Sequence, residues 1–198
     1  MKYQVALFDA DGVLIVPEHH FSTIYARQHG LADDHFQKFF KSEGFVKCMT
    51  GDKDLRDLIL EYKDLWMIKD PDALIQQWFE AENAVNKELV EFIQTLRSKG
   101  LPCYLATTQE KHRGAYIKET MLKDKLDGFF ISSEFGYKKP DPKYFQHIID
   151  DLTGQGLINN AGQVFFADDD QTNVEEAKKQ GIDAILYRKM SDVVGRFS

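Results

Sequence analysis

The chain has 198 residues, 43% hydrophobic and 29% charged, with 13 glycines and 5 prolines; this suits one sizeable globular core with room for a smaller module and excludes a low-complexity chain. Its formal net charge is -7, with Lys and Arg scattered, so nucleic acid is not an expected partner, although a local basic pocket for an anionic small molecule stays open. Cys48 and Cys103 lie far apart without CxxC spacing, and no run of about 18 apolar residues occurs, so a disulfide framework, a membrane partner and a signal peptide are not expected and the expected location is cytoplasmic.

Tyr3 to Phe8 reads as a buried strand that runs into Asp9, Ala10, Asp11 and Gly12. From residue 17 the texture turns helical. Phe21, Ile24, Tyr25 and Leu31 recur at helical spacing, as do Phe36, Phe39 and Phe40; Leu55, Leu58, Ile59, Tyr62 and Trp66 share one helical face. Pro71 suits the first turn of a helix bearing Leu74, Ile75, Trp78 and Phe79. Val85, Leu89, Phe92, Ile93 and Leu96 form the next stripe, stopped near Gly100. Strands and helices then alternate: LPCYLATT, a helix over Arg113 to Leu122, GFFISS, a helix from Pro142 with Tyr144, Phe145 and Ile148, VFFA, QTNVEEAKKQG and IDAILY. The expected fold is therefore α/β, a Rossmann-like parallel sheet with helices on both faces and an all-helical insert. Residues 1–16 and 85–198 make the expected core, and 17–84 the insert.

In open α/β sheets ligands bind beyond the carboxyl ends of the strands. Those ends carry Asp9 and Asp11, Thr107 and Thr108, Ser132 and Ser133 before EFGYKKPDP, and Asp168, Asp169 and Asp170. Carboxylates this dense call for a hard cation, and magnesium prefers oxygen ligands and often works beside phosphate. Thr107 could donate to a phosphate oxygen and Lys139 neutralise another. The set suits phosphoryl transfer with an aspartate nucleophile, with Asp11 as the acid that protonates the leaving group and activates water. Each residue has a plainer reading taken alone: Asp11-Gly12 as a turn, Thr107 as a strand-end hydroxyl, Lys139 as a solvated loop lysine and the Asp168–Asp170 run as a helix cap. Those readings must hold independently at every strand end to replace the joint one.

The ordered set resembles the haloacid dehalogenase-like (HAD) hydrolase superfamily. Asp9-Ala10-Asp11-Gly12-Val13 matches its DxDG(V/T) motif, Thr107 its strand-end Thr or Ser, GYKKPDPKYF from Gly136 to Phe145 its lysine motif, and Asp168-Asp169 with Asn173-Val174 its DDxxxNV motif; an Asp169-Asp170 register fits less well. The resemblance implies Asp9 as nucleophile and magnesium ligand, and Asp11 as general acid/base that binds the metal through its carbonyl. It implies Thr107 as the phosphate-binding hydroxyl, Lys139 as the lysine steadying nucleophile and phosphate, Asp169 as a direct metal ligand and Asp168 as a supporting acid. Lys138 lies one residue off the lysine register. Thr108 stands where the family frequently has Asn, and Asp170 where Ser is commoner; Thr108 and Gly12 are expected to contact substrate.

An acid at Asp11 is implied to favour phosphatases and phosphomutases over dehalogenases, and the helical insert resembles the small cap that closes over such cores. The implied activity is Mg2+-dependent hydrolysis of a small phosphorylated metabolite, in the manner of sugar-phosphate phosphatases, including those acting on glucose 1-phosphate. The alternatives are a phosphomutase with the same nucleophile and a non-catalytic phosphometabolite-binding protein. A phospho-receiver domain would lack the insert, and protein phosphatase activity stays open, although a cap leaves little room for a folded protein and so ranks small substrates higher. Phe21, Tyr25, Phe45, Lys47 and Trp78 are candidates to line the cap side of the site, the aromatics alternatively packing inside the cap. His19 and His20 lie near the expected hinge without partners for zinc. Monomer and weak homodimer stay equally open.

Overall fold

The structure, a computed structural model, describes residues 2–32 and 34–197. Met1, Asp33 and Ser198, which fall within the expected spans, lie outside the described residues. Strands β1 (Val5–Phe8), β2 (Cys103–Thr107), β3 (Gly128–Ile131), β4 (Val164–Asp168) and β5 (Asp183–Leu186) form one parallel sheet in the order β3-β2-β1-β4-β5. The register sets Phe8 against Leu105 and Ala167, so β1, β2 and β4 end along one edge with β1 in the middle.

Alternate residues of a strand point to opposite faces, and both faces are covered, which is why the strands read as continuous apolar runs. On one face Ala6, Phe8, Leu105 and Phe165 pack against Leu89, Ile93 and Leu96 of α6 (Lys87–Ser98). On the other, Val5, Leu7, Ala106 and Phe166 meet Tyr144, Phe145 and Ile148 of α9 (Pro142–Gly154) and Val174 and Ala177 of α10 (Gln171–Lys179). The helix starts were legible because local chemistry sets them: Asp141 caps α9 ahead of Pro142 and accepts the Lys143 N–H, and Asp170 accepts the Thr172 N–H of α10.

Between β1 and α6 run α1 (Phe21–His29), α2 (Asp34–Phe40), α3 (Glu43–Met49), α4 (Leu55–Glu61) and α5 (Pro71–Ala81), which bury a separate hydrophobic cluster. Its centre is aromatic, with the Trp66 ring 4.5 Å from Phe36 and 4.8 Å from Phe39. The chain leaves and returns side by side, the Val16 N–H donating to Ala84 O at 2.8 Å and the Asn86 N–H to Leu14 O at 2.9 Å.

Three elements differ from the sequence pattern. The stripe from Leu55 to Trp66 is not one helix: α4 stops at Glu61 and Met67 adopts a φ of 55°, yet the intervening turn still buries Trp66. The helix expected from Arg113 begins earlier, as α7 (Lys111–Tyr116) capped by Glu110, and passes into a π-helical turn over Ile117–Met121. GFFISS is divided, its serines opening α8 (Ser132–Phe135). The short α3 and α11 (Met190–Val194) lack a full apolar stripe to announce them.

Candidate active site

Asp9 follows the last residue of β1 and is 8% exposed. Its Oδ1 accepts the Ala10 N–H at 2.6 Å and lies 2.7 Å from Lys139 Nζ. The same ammonium donates to Asp168 Oδ2 at 2.6 Å, so one lysine bridges the ends of β1 and β4. Asp168 is fully buried and is held further by Asn173 Nδ2, which donates at 3.0 Å, and by the Asp170 N–H at 2.8 Å. Asp9, Asp168 and Asp169 bring carboxylate oxygens within 4.8 Å of one another.

Burial sets the electrostatics. It pushes the Asp9 carboxyl up to about 7, against the pull of Lys139 and with a further push from Asp168. Burial raises Asp169 as well, with Asp168 adding to it. Lys139 would be lowered by burial, but Asp9 and Asp168 overcome this and hold it above the ordinary lysine value. A cluster whose burial cost outweighs its own ammonium suits a divalent cation, and the oxygen-only donor set fits a hard one.

Gly12 has a φ of 74°, and a Cβ there would sit 2.1 Å from Asp169 Oδ2. The glycine therefore lets the backbone pass beneath the acidic cluster. Gly12→Ala is expected to cost about 1–3 kcal/mol in stability and, if the acidic cluster holds a divalent cation, to weaken its binding at least tenfold. Thermal unfolding with and without the metal checks both.

The remaining expected residues surround a chamber of about 550 Å3, lined among others by Asp9, Asp11, Gly12, Thr107, Thr108 and Lys139. Thr107, the last residue of β2, is 1% exposed. Thr108 Oγ1 accepts the Lys139 N–H at 3.1 Å, so it ties the lysine loop to β2. Lys138 and Asp170 also line the chamber, and Asp170 caps α10.

Asp11 faces a second, adjoining chamber of about 420 Å3 between the core and the helical layer, which shares Asp11, His20 and Thr108 with the first. Its Oδ2 accepts from Gln109 Nε2 at 2.5 Å and its Oδ1 from Arg113 Nη2 at 3.1 Å. Arg113 is 4% exposed, and its Nη1 lies 3.2 Å from Glu82 Oε2. Glu82 Oε1 accepts the Phe21 N–H at 2.9 Å, tying both linkers of the helical layer to the same guanidinium.

Sequence reasoning missed Arg113, Gln109, Glu82 and the placement of His20. The available signal was the charged first turn of α7 directly after the β2 hydroxyls. The aromatic candidates Phe21, Tyr25 and Phe45 are buried in the helical cluster and Trp78 packs against it, while Phe45 and Trp78 also line the second chamber. Lys47 pairs with Glu43 at 2.7 Å and is half exposed. No helix among the described residues is long and apolar enough to cross a membrane. Both cysteines are free and buried.

A strand-end aspartate and its second acid, a buried lysine and an acidic pair lie together on a five-stranded parallel sheet, at the positions the family resemblance expects. The chain belongs to the haloacid dehalogenase-like hydrolase family, whose model matches residues 3–181. It is 24% identical over 213 residues to bifunctional epoxide hydrolase 2 of Sus scrofa, covering 95% of this chain and 37% of that protein. Thus it spans well under half the length of this curated relative. Its fold is similar to that of the HAD family enzyme bt-2542 of Bacteroides thetaiotaomicron, solved in complex with magnesium and inorganic phosphate (TM-score 0.79, 18% identity, 99% and 100% of the two chains). It is also similar to a HAD-like family hydrolase of Porphyromonas gingivalis (TM-score 0.78, 18% identity, 100% and 98%).

Proposed function

We propose that this hydrolase is a Mg2+-dependent phosphatase that cleaves a small phosphate monoester, a sugar phosphate by preference, through an aspartyl-phosphate on Asp9. The observation that carries this reading is the bridge from Lys139 to Asp9 and Asp168, beside Asp169 and with a second acid two residues after Asp9. Magnesium, held by Asp9, Asp169 and the Asp11 carbonyl with Asp168 in support, would offset charge on the phosphoryl oxygens and on Asp9. The helical segment 17–84 acts as the cap and 1–16 with 85–198 as the core. The magnesium and phosphate named for the Bacteroides thetaiotaomicron structure support the same reading.

The chain's own residues supply the rest. Asp9 Oδ1 is occupied by the Ala10 N–H and Lys139, which leaves Oδ2 to attack phosphorus. As that bond forms, the ester bond breaks and Asp11 gives its proton to the leaving oxygen. Asp11, now a carboxylate, takes a proton from water, whose oxygen attacks phosphorus and releases Asp9 and inorganic phosphate. Thr107 and Lys139 hold the phosphoryl oxygens through both steps.

This division of labour predicts a trap. With acetyl phosphate the leaving group needs no proton, so Asp11→Asn should still phosphorylate Asp9 but hydrolyse the product slowly. A phosphoryl group on the Asp9 peptide, found by mass spectrometry in Asp11→Asn and absent from an Asp9→Asn/Asp11→Asn double variant, is the expected result. Phosphate on neither protein, or on another residue, contradicts it.

Arg113 should matter through Asp11. Arg113→Met leaves Glu82 without its buried partner and frees Asp11, and it is expected to lower kcat by about 10–100-fold with a smaller change in KM. Steady-state kinetics on a phosphomonoester, beside a thermal melt, separates this from simple unfolding.

A further inference from the structure

The chamber beneath the helical layer has a charge inventory that limits what can leave from phosphorus. It is lined by Asp11, Glu82 and Glu110, with Arg113 as its one permanent cation among the described residues. That guanidinium is charge-paired on both sides: Nη2 donates to Asp11 at 3.1 Å, Nη1 lies 3.2 Å from Glu82 without making a hydrogen bond, and the group sits over the Phe79 ring at 5.8 Å. Drawing it onto a substrate anion would strip Glu82, whose side chain is 10% exposed, of its counter-charge.

Other cations do not fill the gap. Lys47 and Lys53 on the helical layer pair with Glu43 and Glu61, at 2.7 Å and 2.6 Å. Lys138 and Lys139 line only the lower chamber, where the reacting phosphate itself belongs. His20 reaches both chambers, but its Nδ1 lies 3.6 Å from Glu82, which would take up any charge it gained. Burial pushes the Glu110 carboxyl up, and Glu82 faces Arg113 at 3.2 Å.

The rest of the lining is two-sided. Phe40, Phe45, Met49 and Trp78 form an apolar wall, with the Phe40 ring 5.1 Å from Phe45 and 5.6 Å from Trp78. Gln109, Glu82 and Ser22 offer acceptors for hydroxyl donors. Resting on the phosphatase reading above, we propose that the substrate is the monophosphate of an uncharged, hydroxyl-bearing compound with one apolar face, and that a second phosphate or a carboxylate on the leaving group is rejected. An anion set among these carboxylates would be desolvated beside like charge, whereas an uncharged ring can lay its C–H face on Trp78 and donate its hydroxyls to the opposite side.

The test uses the magnesium-loaded wild-type protein and matched substrates: a hexose monophosphate against the hexose bisphosphate, and glycerol phosphate against phosphoglycerate. Acetyl phosphate, too small to fill the chamber, reports on phosphoryl transfer alone. The expected result is a kcat/KM lower by on the order of 100-fold for the doubly anionic member of each pair. Met49→Lys, which adds a cation to the wall, should narrow that gap at least tenfold. Turnover of the anionic members as fast as their neutral partners, or release from acetyl phosphate alone, overturns the proposal and leaves the phosphatase reading standing. No release from any compound by folded, magnesium-loaded protein overturns both.

Discussion

Lys139→Met is expected to abolish turnover and to destabilise the metal-free protein by about 3–5 kcal/mol. The lysine side chain is 3% exposed and lies 2.7 Å from Asp9 Oδ1 and 2.6 Å from Asp168 Oδ2. Removing it leaves two buried carboxylates facing each other with no cation between them. Asp168 keeps its bonds from Asn173 and the Asp170 N–H, so the loss falls mainly on Asp9. Urea denaturation in EDTA reads the stability term. A second substitution, Asp168→Asn, should recover more than half of it by removing one of the opposed charges, while turnover stays lost. No recovery would show that the lysine acts through packing rather than through charge.

If Asp9 is the nucleophile as proposed, Asp9→Asn is expected to lower turnover by on the order of 10,000-fold or more, because an amide cannot form an acyl-phosphate. The same change has an opposite effect on stability. The buried Asp9 carboxyl sits at about 7 against an ordinary value of 3.8, so the folded protein binds this proton more tightly than the unfolded chain. The contribution is fully present below pH 3.8 and is lost as the pH rises through about 7. Metal-free wild-type protein should therefore lose stability between about pH 5 and about pH 8 relative to Asp9→Asn, and magnesium should restore it most at the higher pH. Melting temperatures of both proteins at the two pH values, with magnesium and with EDTA, provide the check. A wild-type profile parallel to that of the variant in EDTA would contradict the electrostatic account.

The clustering of the candidate acids and hydroxyls was legible in the sequence because they sit at or just beyond strand ends. An apolar run that stops at an acid or a hydroxyl is a local signal, and parallel pairing aligns such stops: Phe8 lies opposite Ala167, so Asp9 and Asp168 follow at the same edge. Lys139 was legible only through the KKPDP stretch, since nothing in its spacing says that it is buried. The surroundings of Asp11 were not legible. Gln109 and Arg113 lie 98 and 102 residues from it, and Glu82 meets Arg113 only because the helical layer returns beside the core. Sequence periodicity marks which residues are apolar, not which charged residue of α7 turns inward. The same limit applied to the aromatics. Phe21 and Phe45 share one texture in the sequence and one buried cluster in the helical layer, yet Phe45 also borders the chamber.

We propose that the acidic strand ends form one metal-dependent phosphoryl-transfer site. The most direct measurement is phosphate release from sugar phosphates and other small phosphomonoesters, with magnesium and with EDTA. Release that requires magnesium and disappears in Asp9→Asn is the predicted result. Release that persists in EDTA or in Asp9→Asn, or none from any compound with folded protein and added magnesium, would contradict it.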